Sequence, residues 1–277
     1  MKSFIRYIIN VYNIILFGSK GRAFVFLFNF KAWALKISNR IEFDAASVRY
    51  FLKEKSNRSK ILLTFANEYQ AAQAYARGLE HRAESIGKTY FLDKIAFVKN
   101  DLIVDCGANV GDLFFWFQFR DLDINYLAFE PSIEEFRCLK KNIFPHHAVN
   151  QALWFEDTVI DLYINSDEAD SSLIKPNKYF SKVSVEAITL ESIISSKVKL
   201  LKLEAEGAEP EVLLGAGQKL KYIEFISADL GFERGSSKES TFIEVTNYLL
   251  QNNFALLEFS DARRCALFKN KEYLNIN

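Results

Sequence analysis

The stretch LIVDCGANVGDLFFWF, residues 102–117, constrains the fold of this chain more than any other segment. A largely apolar run that includes Asp105 leads into a turn with two glycines, and a phenylalanine-rich segment follows. This order is typical of a buried parallel strand, a tight turn and a helix whose aromatic residues pack in the core. Ligands of open parallel sheets bind beside such turns, at the carboxyl ends of the strands. The turn is therefore the first candidate site.

The sequence after residue 100 alternates short apolar runs with helical stretches, which predicts βα units and a mostly parallel sheet. Strands are expected at residues 102–106, 125–131, 147–154, 199–207 and 222–230. Ser132 followed by Glu135 is a capping box, which predicts that a helix begins there. Residues 157–196 are rich in hydroxyl side chains and are expected to form an irregular insertion. The segment 254–270 predicts a final antiparallel hairpin.

Residues 1–90 are predicted to form a helical N-terminal region, separate from a main domain at residues 91–277. The first 37 residues are apolar, aromatic and basic. Polar residues interrupt them before they reach the length of a membrane-spanning helix, and the segment GSKG is a poor cleavage site for a signal peptide. Two roles stay open for this region: its helices pack against the main domain, or residues 1–40 contact a membrane surface.

The charge balance and the cysteine and histidine content limit the classes of function. Lysine plus arginine and aspartate plus glutamate number 35 each, so no overall field attracts a polyanion and no nucleic-acid partner is expected. Three widely separated cysteines predict a reducing, cytoplasmic location, with peripheral contact at the inner membrane as an open alternative. Three histidines without metal-binding spacing argue against histidine-based catalysis and structural zinc.

Two kinds of ligand compete for the glycine turn: a dinucleotide and S-adenosylmethionine. A dinucleotide fingerprint needs a glycine where this chain has Asn109, and a carboxylate at Asp105 repels a diphosphate. S-adenosylmethionine carries an ammonium and a sulfonium, which an acidic strand end attracts. Glu130 follows Gly111 by 19 residues, at the end of the next strand, where a carboxylate can accept both ribose hydroxyls. The residues therefore favour S-adenosylmethionine over a nicotinamide cofactor, with a purely structural turn as the alternative.

A second acidic cluster, LKLEAEGAEPEVL at residues 201–213, ends the fourth predicted strand. Strand alternation predicts that Lys202, Glu204 and Glu206 share one face, with Glu206 at the carboxyl end. Lys202 and Glu204 can form a structural ion pair, since buried carboxylates need a partner. The carboxylates can instead face an acceptor pocket, as a general base or, for Glu204 together with Asp229, as ligands of a divalent cation. Both interpretations stay open.

Seven segments run in the same order as the motifs of a known family, over about residues 74–270. They are AYARGLEHRAESIGKTYFLDKIAFVKNDLIVDCGANVGD, YLAFEPSIEEFRCLKKN, NQALW, ADSSLI, LLKLEAEGAEPEVLLGA, ISADLGFERG and STFIEVTNYLLQNNF. Together they resemble the FkbM-type S-adenosylmethionine-dependent methyltransferases. The resemblance implies a Rossmann-like class I methyltransferase fold, α/β, with a mostly parallel seven-stranded sheet and a C-terminal antiparallel hairpin. The first 60 residues lie outside it.

The predicted site residues fall into two groups. The turn, the next strand end and a segment that the resemblance assigns to adenine form the cofactor group: Asp105, Gly107, Ala108, Asn109, Gly111, Glu130, Pro131, Gln151 and Ala152. The catalytic group is Lys202, Glu204, Glu206 and Asp229. The family's fourth-strand motif reads like LKIDVEGAE, so Glu204 replaces an aspartate and reaches about one methylene further. Glu206, Gly207 and Glu209 match that motif directly.

The ADSSLI and ADLGFERG segments resemble those of family members from bacterial surface-polysaccharide clusters. This resemblance implies an O-methyltransferase that acts on a sugar hydroxyl of a glycan or a nucleotide-sugar precursor. The non-catalytic alternative is an adenosyl-binding or scaffold subunit of a membrane-associated glycan assembly complex. The oligomeric state is left open.

Overall fold

The computed structural model describes residues 10–16, 18–37, 39–55, 60–164 and 171–273. Contacts between residues divide the chain into two compact units, Met1–Arg82 and Ala83–Asn277. The sequence predicted the boundary after residue 90. None of the helices in the described ranges is both long enough and apolar enough to cross a membrane.

The N-terminal unit contains strands as well as helices, so the prediction of a helical region is wrong for residues 40–65. A helical segment at residues 10–16 is followed by α1 (Gly21–Ala34), β1 (Arg40–Asp44), β2 (Arg49–Lys55), β3 (Lys60–Phe65), α2 (Glu68–Ala74) and α3 (Leu79–Thr89). The strands form an antiparallel sheet in the order β1-β2-β3. Alternate residues of β2 (Tyr50, Leu52 and Glu54) are buried. This period of two belongs to a strand, but the charged residues around it concealed the pattern.

The C-terminal unit is built around a seven-stranded sheet, as predicted. Its strands are, in chain order, β4 (Leu102–Cys106), β5 (Asn125–Phe129), β6 (His147–Val149), β7 (Ala152–Leu153), β8 (Thr158–Ile164), β9 (Ser171–Ser172), β10 (Ser181–Ile188), β11 (Val198–Leu203), β12 (Ile223–Asp229), β13 (Phe232–Arg234), β14 (Glu239–Ser240), β15 (Phe254–Ser260) and β16 (Cys265–Asn270). The central sheet has the order β15-β16-β12-β11-β4-β5-β6. Pairs from β12 to β6 are parallel, whereas β16 is antiparallel to both of its neighbours. The C-terminal hairpin is thereby confirmed.

The helices of this unit connect the strands and cover the sheet. They are α4 (Asp112–Phe119), α5 (Ile133–Asn142), α6 (Leu190–Ile193), α7 (Glu209–Leu214) and α8 (Phe242–Gln251). The aromatic residues of α4 from Phe114 to Phe117 are buried, as their apolar character predicts. Helix α5 begins after Ser132, whose hydroxyl donates to the carboxylate of Glu135. The predicted start of this helix is confirmed, but the capping box does not form, since the Ser132 side chain makes no cap bond to a helix amide and the Ser132 amide donates to Glu130.

The prediction that residues 157–196 are irregular is wrong. Strands β8 and β10 pair antiparallel there and form a four-stranded sheet in the order β7-β10-β8-β9. The third predicted strand is also divided, because β6 joins the central sheet and β7 joins this smaller one. Val159 and Val183 of the small sheet are 65% and 44% exposed. Val183, Val185 and Ala187 of β10 do alternate with polar residues, but the hydroxyl-rich residues around both strands concealed this pattern.

Candidate active site

The glycine turn between β4 and α4 packs closely against two neighbouring strands. Gly107 has a φ of +69°, and a Cβ there would lie 2.0 Å from the backbone oxygen of Glu204. The amides of Gly107 and Ala108 donate to the backbone oxygen of Phe129 at 3.1 and 3.0 Å. Only glycine tolerates both the positive φ and this close approach. The turn is thus fixed between the carboxyl ends of β5 and β11.

The carboxylate of Glu130, which follows β5, holds the other side of this turn. Its Oε2 accepts a hydrogen bond from the amide of Asn109 at 2.8 Å, and its Oε1 accepts one from the amide of Ser132 at 2.8 Å. Asn150 donates to the backbone oxygens of Glu130 and Pro131, both at 2.9 Å. Burial raises the pKa of Glu130 to about 7, against the effect of the two amide hydrogen bonds. Sequence patterns did not identify Asn150, which ties two strand ends together.

Glu130 retains hydrogen-bonding capacity that a ligand can use. A carboxylate offers about four lone-pair positions, and each oxygen of Glu130 accepts one hydrogen bond from the described residues. One position per oxygen therefore remains, which matches the two adjacent hydroxyls of a ribose. This donor and acceptor chemistry fits the adenosyl group of S-adenosylmethionine.

Asp105 lies at the end of β4 with its carboxylate buried. Its Oδ1 is 3.1 Å from Nζ of Lys202, and the hydroxyl of Tyr126 donates to its Oδ2. Burial alone would lower the pKa of Lys202, but the carboxylates of Asp105 and Glu204 raise it, so the ammonium stays charged. Since Lys202 already balances the charge of Asp105, the expected attraction of Asp105 for a cationic ligand is weakened.

Lys202 connects the glycine turn to the second acidic cluster. Its Nζ is 2.7 Å from Oε2 of Glu204, so the predicted ion pair is present. The same ammonium donates to the backbone oxygens of Cys106 at 3.1 Å and Gly107 at 2.8 Å. A single buried cation therefore holds the turn, Asp105 and Glu204 together.

Glu204 is the partly exposed carboxylate of this network, with 36% of its side chain accessible. The buried hydroxyl of Tyr90 forms a hydrogen bond with the Glu204 carboxylate. The hydroxyl of Ser227 on β12 donates a hydrogen bond to the backbone oxygen of Tyr90 at 2.8 Å. Asp229 ends β12, and its pKa is raised by burial and by the negative charge of Glu204. Glu204 and Asp229 therefore lie at adjacent strand ends within electrostatic reach of each other and of Tyr90, which follows α3.

The prediction that Glu206 continues the strand face of Lys202 is wrong. Strand β11 ends at Leu203, and Glu206 lies in the following turn with a φ of +50°. Its backbone oxygen accepts a hydrogen bond from the hydroxyl of Ser172 at 2.9 Å. Alternation along a strand therefore stops before Glu206, and the side chain is no longer related to Lys202 by the period of two.

Glu209 is the cause of this early turn. Glu209 is the first residue of α7 and is buried. Its Oε1 accepts hydrogen bonds from the backbone amides of Ala205 and Gly207 at 2.8 and 3.1 Å. Its Oε2 accepts the hydroxyl of Thr241 at 3.0 Å. Burial raises the pKa of Glu209 to about 7, and these hydrogen bonds oppose the rise. The carboxylate draws the backbone amides inward and bends the chain away from the strand direction.

Sequence patterns also did not identify the residues that close the second turn. Arg234 donates to the backbone oxygen of Gly207 at 2.6 Å and makes a bidentate pair with Glu211 at 2.6 and 2.8 Å. Ser172 holds Glu206 from the other side. A signal existed, because Ser172 and Arg234 lie in the ADSSLI and ADLGFERG segments that carry the family resemblance.

The predicted adenine-lining residues lie where the central sheet leads into the small sheet. Ala152 is buried in β7 and pairs with Ala187 of β10. The side-chain amide of Gln151 donates to the carboxylate of Glu186 at 3.0 Å. Their contact with an adenine stays a prediction.

The candidate cation ligands Glu204 and Asp229 have no third histidine, cysteine or carboxylate ligand within the described part of the chain. Over those ranges, no group of three or more histidine, cysteine, aspartate or glutamate side chains is arranged to hold a metal ion. A role for these two carboxylates in cation binding stays a prediction.

The strand order and the site define the class of protein. The order of the central strands reverses at β4 and β11, and the glycine turn and Glu204 lie at this switch point, where open α/β sheets bind ligands. With the antiparallel strand β16 inserted beside β12, the sheet has the Rossmann-like class I methyltransferase fold that the sequence predicts.

The family follows from the sequence match. Residues 105–256 match the family model described as the methyltransferase FkbM domain, which is more than half of the chain. The chain therefore belongs to the FkbM methyltransferase family, and S-adenosylmethionine is its methyl donor. No curated protein matches the sequence.

Solved structures that resemble this chain include several methyltransferases of low sequence identity. A TehB-like S-adenosylmethionine-dependent methyltransferase from Corynebacterium glutamicum is 13% identical with a TM-score of 0.41, over 67% of this chain and 88% of that chain. A ribosomal protein L11 methylase from Lactobacillus delbrueckii is 13% identical with a TM-score of 0.38, over 68% and 76%. The human METTL16 N-terminal domain in complex with S-adenosylhomocysteine is 13% identical with a TM-score of 0.38, over 68% of each chain.

Proposed function

We propose that this protein is an O-methyltransferase that methylates a sugar hydroxyl of a bacterial surface polysaccharide or of its nucleotide-sugar precursor. Family membership supports methyl transfer from S-adenosylmethionine. The acceptor class is supported by the resemblance of the ADSSLI and ADLGFERG segments to members from polysaccharide clusters. These two segments contribute Ser172 and Arg234, which contact the turn that follows Glu204.

The observation that carries the proposal is the position of Lys202. Its ammonium contacts Glu204 at 2.7 Å and the backbone oxygen of Gly107 at 2.8 Å. An acceptor hydroxyl that binds to Glu204 therefore lies next to the turn that holds the methyl donor. Proximity of this kind contributes several kcal/mol to a bimolecular reaction, on the order of 7–11 kcal/mol at best.

The residues of the first turn position the donor. Glu130 accepts the ribose hydroxyls, Gly107 and Ala108 keep the backbone close to the ligand, and Asn109 and Gly111 shape the entry into α4. Gln151 and Ala152 line the adenine, next to Pro131. Bound S-adenosylmethionine supplies a methyl group on a positively charged sulfur atom.

Glu204 is the proposed general base. A sugar hydroxyl is a very weak acid, so its oxygen must lose a proton as it forms the new bond to the methyl carbon. The bond from that carbon to sulfur breaks in the same step, and its electron pair stays on sulfur, which leaves as the neutral thioether of S-adenosylhomocysteine. Glu204 takes that proton, Lys202 holds the carboxylate in place, and Tyr90 donates to it. Asp229 assists from the neighbouring strand end. Glu206 is the weaker candidate for the base, since it belongs to the second turn.

Incubation of the purified chain with methyl-labelled S-adenosylmethionine tests the acceptor class. The acceptors are nucleotide sugars and surface-polysaccharide extracts on one side, and protein and lipid fractions on the other, with and without magnesium. Label in the sugar fraction is expected. Label confined to protein or lipid would overturn the sugar assignment and leave methyl transfer intact.

The variant Glu204→Gln tests the base. We expect turnover to fall by roughly 10²–10⁴-fold with unchanged affinity for S-adenosylhomocysteine, because the side chain acts on the acceptor. Glu239→Gln, at an exposed position on β14, is the matched control and should keep full turnover. Full turnover of Glu204→Gln at every pH would show that Glu204 is not the base.

The second candidate is an adenosyl-binding scaffold subunit. The weakened attraction of Asp105 for a cation favours it modestly, since Lys202 already balances that charge. This alternative predicts tight binding of S-adenosylhomocysteine without transfer to any acceptor fraction.

A further inference from the structure

An apolar face is exposed on helix α1 (Gly21–Ala34) of the N-terminal unit. Phe26, Phe30 and Trp33 are 71%, 51% and 66% exposed, and their spacing of four and three residues places them on one side of the helix. The opposite side of α1 is buried through Phe24, Phe28 and Ala32. A surface helix normally combines an apolar inner side with a polar outer side. Helix α1 is apolar on both, and we call Phe26, Phe30 and Trp33 the aromatic face.

The helical segment at residues 10–16 packs against α1 and extends its apolar surface. The hydroxyl of Tyr12 donates to the backbone oxygen of Leu27, and Nζ of Lys31 donates to Oδ1 of Asn13 at 3.0 Å. Ile14 and Ile15 of this segment are 71% and 53% exposed, and its Tyr12 ring lies 6.4 Å from that of Phe30. Large apolar side chains are therefore exposed on both the segment at residues 10–16 and α1.

The chain segment that carries the aromatic face is basic. The first 41 residues contain seven lysines and arginines and no aspartate or glutamate, so the remaining chain holds 28 basic and 35 acidic residues. Lys20 and Arg22 are exposed at the start of α1, and Lys36 and Arg40 are exposed just beyond its end. Basic side chains therefore flank the aromatic face along the helix axis.

We propose that the aromatic face docks on the surface of a bilayer that contains anionic lipids. Phenylalanine and tryptophan insert at the level of the headgroups, while flanking lysine and arginine bind the lipid phosphates. The rest of the chain has more acidic than basic residues, which disfavours binding of its other surfaces to anionic lipids. Contact between two copies through this face would bring basic groups of the same sign together, which opposes a dimer.

Flotation of the full chain with lipid vesicles tests the proposal. Vesicles of phosphatidylcholine mixed with phosphatidylglycerol should carry the protein, and vesicles of phosphatidylcholine alone should carry much less. Raising the salt concentration should release it, because exposed charges are screened within about 10 Å at 0.1 M salt.

Two sets of substitutions separate the apolar and the electrostatic contributions. Phe26→Ser combined with Trp33→Ser should abolish flotation, and Lys20→Gln, Arg22→Gln and Lys36→Gln should each weaken partitioning by about fivefold. Ile243→Ser, at a position that is 72% exposed on α8, and Lys140→Gln, exposed on α5, are the matched controls and should float like the wild type. Unchanged circular dichroism would show that the face variants fold.

Three results would overturn the proposal. One is equal binding to neutral and anionic vesicles, and another is normal flotation of the Phe26 and Trp33 variant. The third is a dimer, seen by sedimentation and lost in that variant, in a protein that binds no vesicles. That result would assign the aromatic face to a second copy of this chain.

Discussion

Two turns at neighbouring strand ends are each stabilised by a buried glutamate, but only one of the two glutamates accepts a single hydrogen bond on each oxygen. In the turn after β4, Asn109 has a φ of +50° and the buried carboxylate of Glu130 accepts hydrogen bonds from backbone amides. In the turn after β11, Glu206 has a φ of +50° and the buried carboxylate of Glu209 accepts hydrogen bonds from backbone amides. Burial raises the pKa of both glutamates to about 7. Each carboxylate satisfies amides that a tight turn would otherwise leave unpaired.

The two carboxylates differ in the hydrogen-bonding capacity that is left. Glu209 accepts two backbone amides on one oxygen and the hydroxyl of Thr241 on the other, and Arg234 closes its turn through Gly207. Glu130 accepts one amide on each oxygen. The second turn is therefore completed by the protein itself, whereas the first has acceptor positions for a ligand. We call the turn after β4 the binding turn and the turn after β11 the structural corner.

Alanine at the central glycine of each turn should give the largest effects. A Cβ at Gly107 meets the backbone oxygen of Glu204 at 2.0 Å, and one at Gly207 meets Cα of Arg234 at 2.5 Å, both at positive φ. We expect each substitution to lower the free energy of unfolding by roughly 2–4 kcal/mol. Urea unfolding measures this loss.

Ligand binding should separate these two glycine variants. Gly107→Ala should lower the affinity for S-adenosylhomocysteine on the order of 100-fold, because the backbone beside the ligand moves. Gly207→Ala should keep nearly normal affinity in calorimetry below its unfolding temperature. Equal losses of affinity would contradict the distinction between the binding turn and the structural corner.

The raised pKa values predict a dependence of stability on pH. Both glutamates have a folded-state pKa of about 7 against an ordinary value of 4.5, so the folded protein binds these protons more tightly. This contribution is fully present below about pH 4.5 and is lost as the pH rises through about 7. We expect each group to reduce the free energy of unfolding by roughly 1–3 kcal/mol over that range.

Unfolding of Glu209→Gln at several pH values checks this prediction. Glutamine removes one titrating group, so the variant should lose less stability than the wild type between pH 4.5 and 7. Parallel curves for the two proteins would refute the raised pKa of Glu209.

Glutamine at each buried glutamate tests which turn binds the ligand. Glu130→Gln should lower the affinity for S-adenosylhomocysteine by about 10- to 100-fold, because charge-assisted hydrogen bonds to the ribose are lost. Wild-type affinity should rise with pH through about 7 as Glu130 ionises, and the variant should lack this rise. Glu209→Gln should leave affinity nearly unchanged. Calorimetry that finds the stronger effect at Glu209 would reverse the assignment of the two turns.

Arg234→Lys should have the smallest effect. Lysine cannot make the bidentate pair with Glu211, and we expect a loss of about 1–2 kcal/mol in the free energy of unfolding. Arg137→Lys disrupts an exposed pair with Glu134 and should change stability by less than about 0.5 kcal/mol. Thermal unfolding of both variants gives the comparison, and equal shifts would mean that Arg234 does not hold the structural corner.

Within the C-terminal unit, the accuracy of the sequence predictions followed the burial of each segment. Strand β4 and helix α4 lie in the core, and their apolar runs located them closely. Strand β10 is largely exposed and β8 is only partly buried, and the hydroxyl-rich residues around them indicated an irregular insertion instead. In the second turn the alternation that predicted Glu206 on the strand face failed, because Glu209, three residues later, bends the backbone. Side-chain capture of backbone amides leaves no periodic signal.

The sequence by itself determined the parallel α/β fold, the position of the glycine turn and the glutamate that follows the next strand. These features depend on neighbours within one βα unit, where spacing along the chain sets distance in space. The tertiary structure decided which carboxylates act together. Lys202 pairs in register with Asp105 because β11 lies beside β4, although 97 positions separate them. Strand order depends on how the whole sheet packs, and no local pattern encodes it.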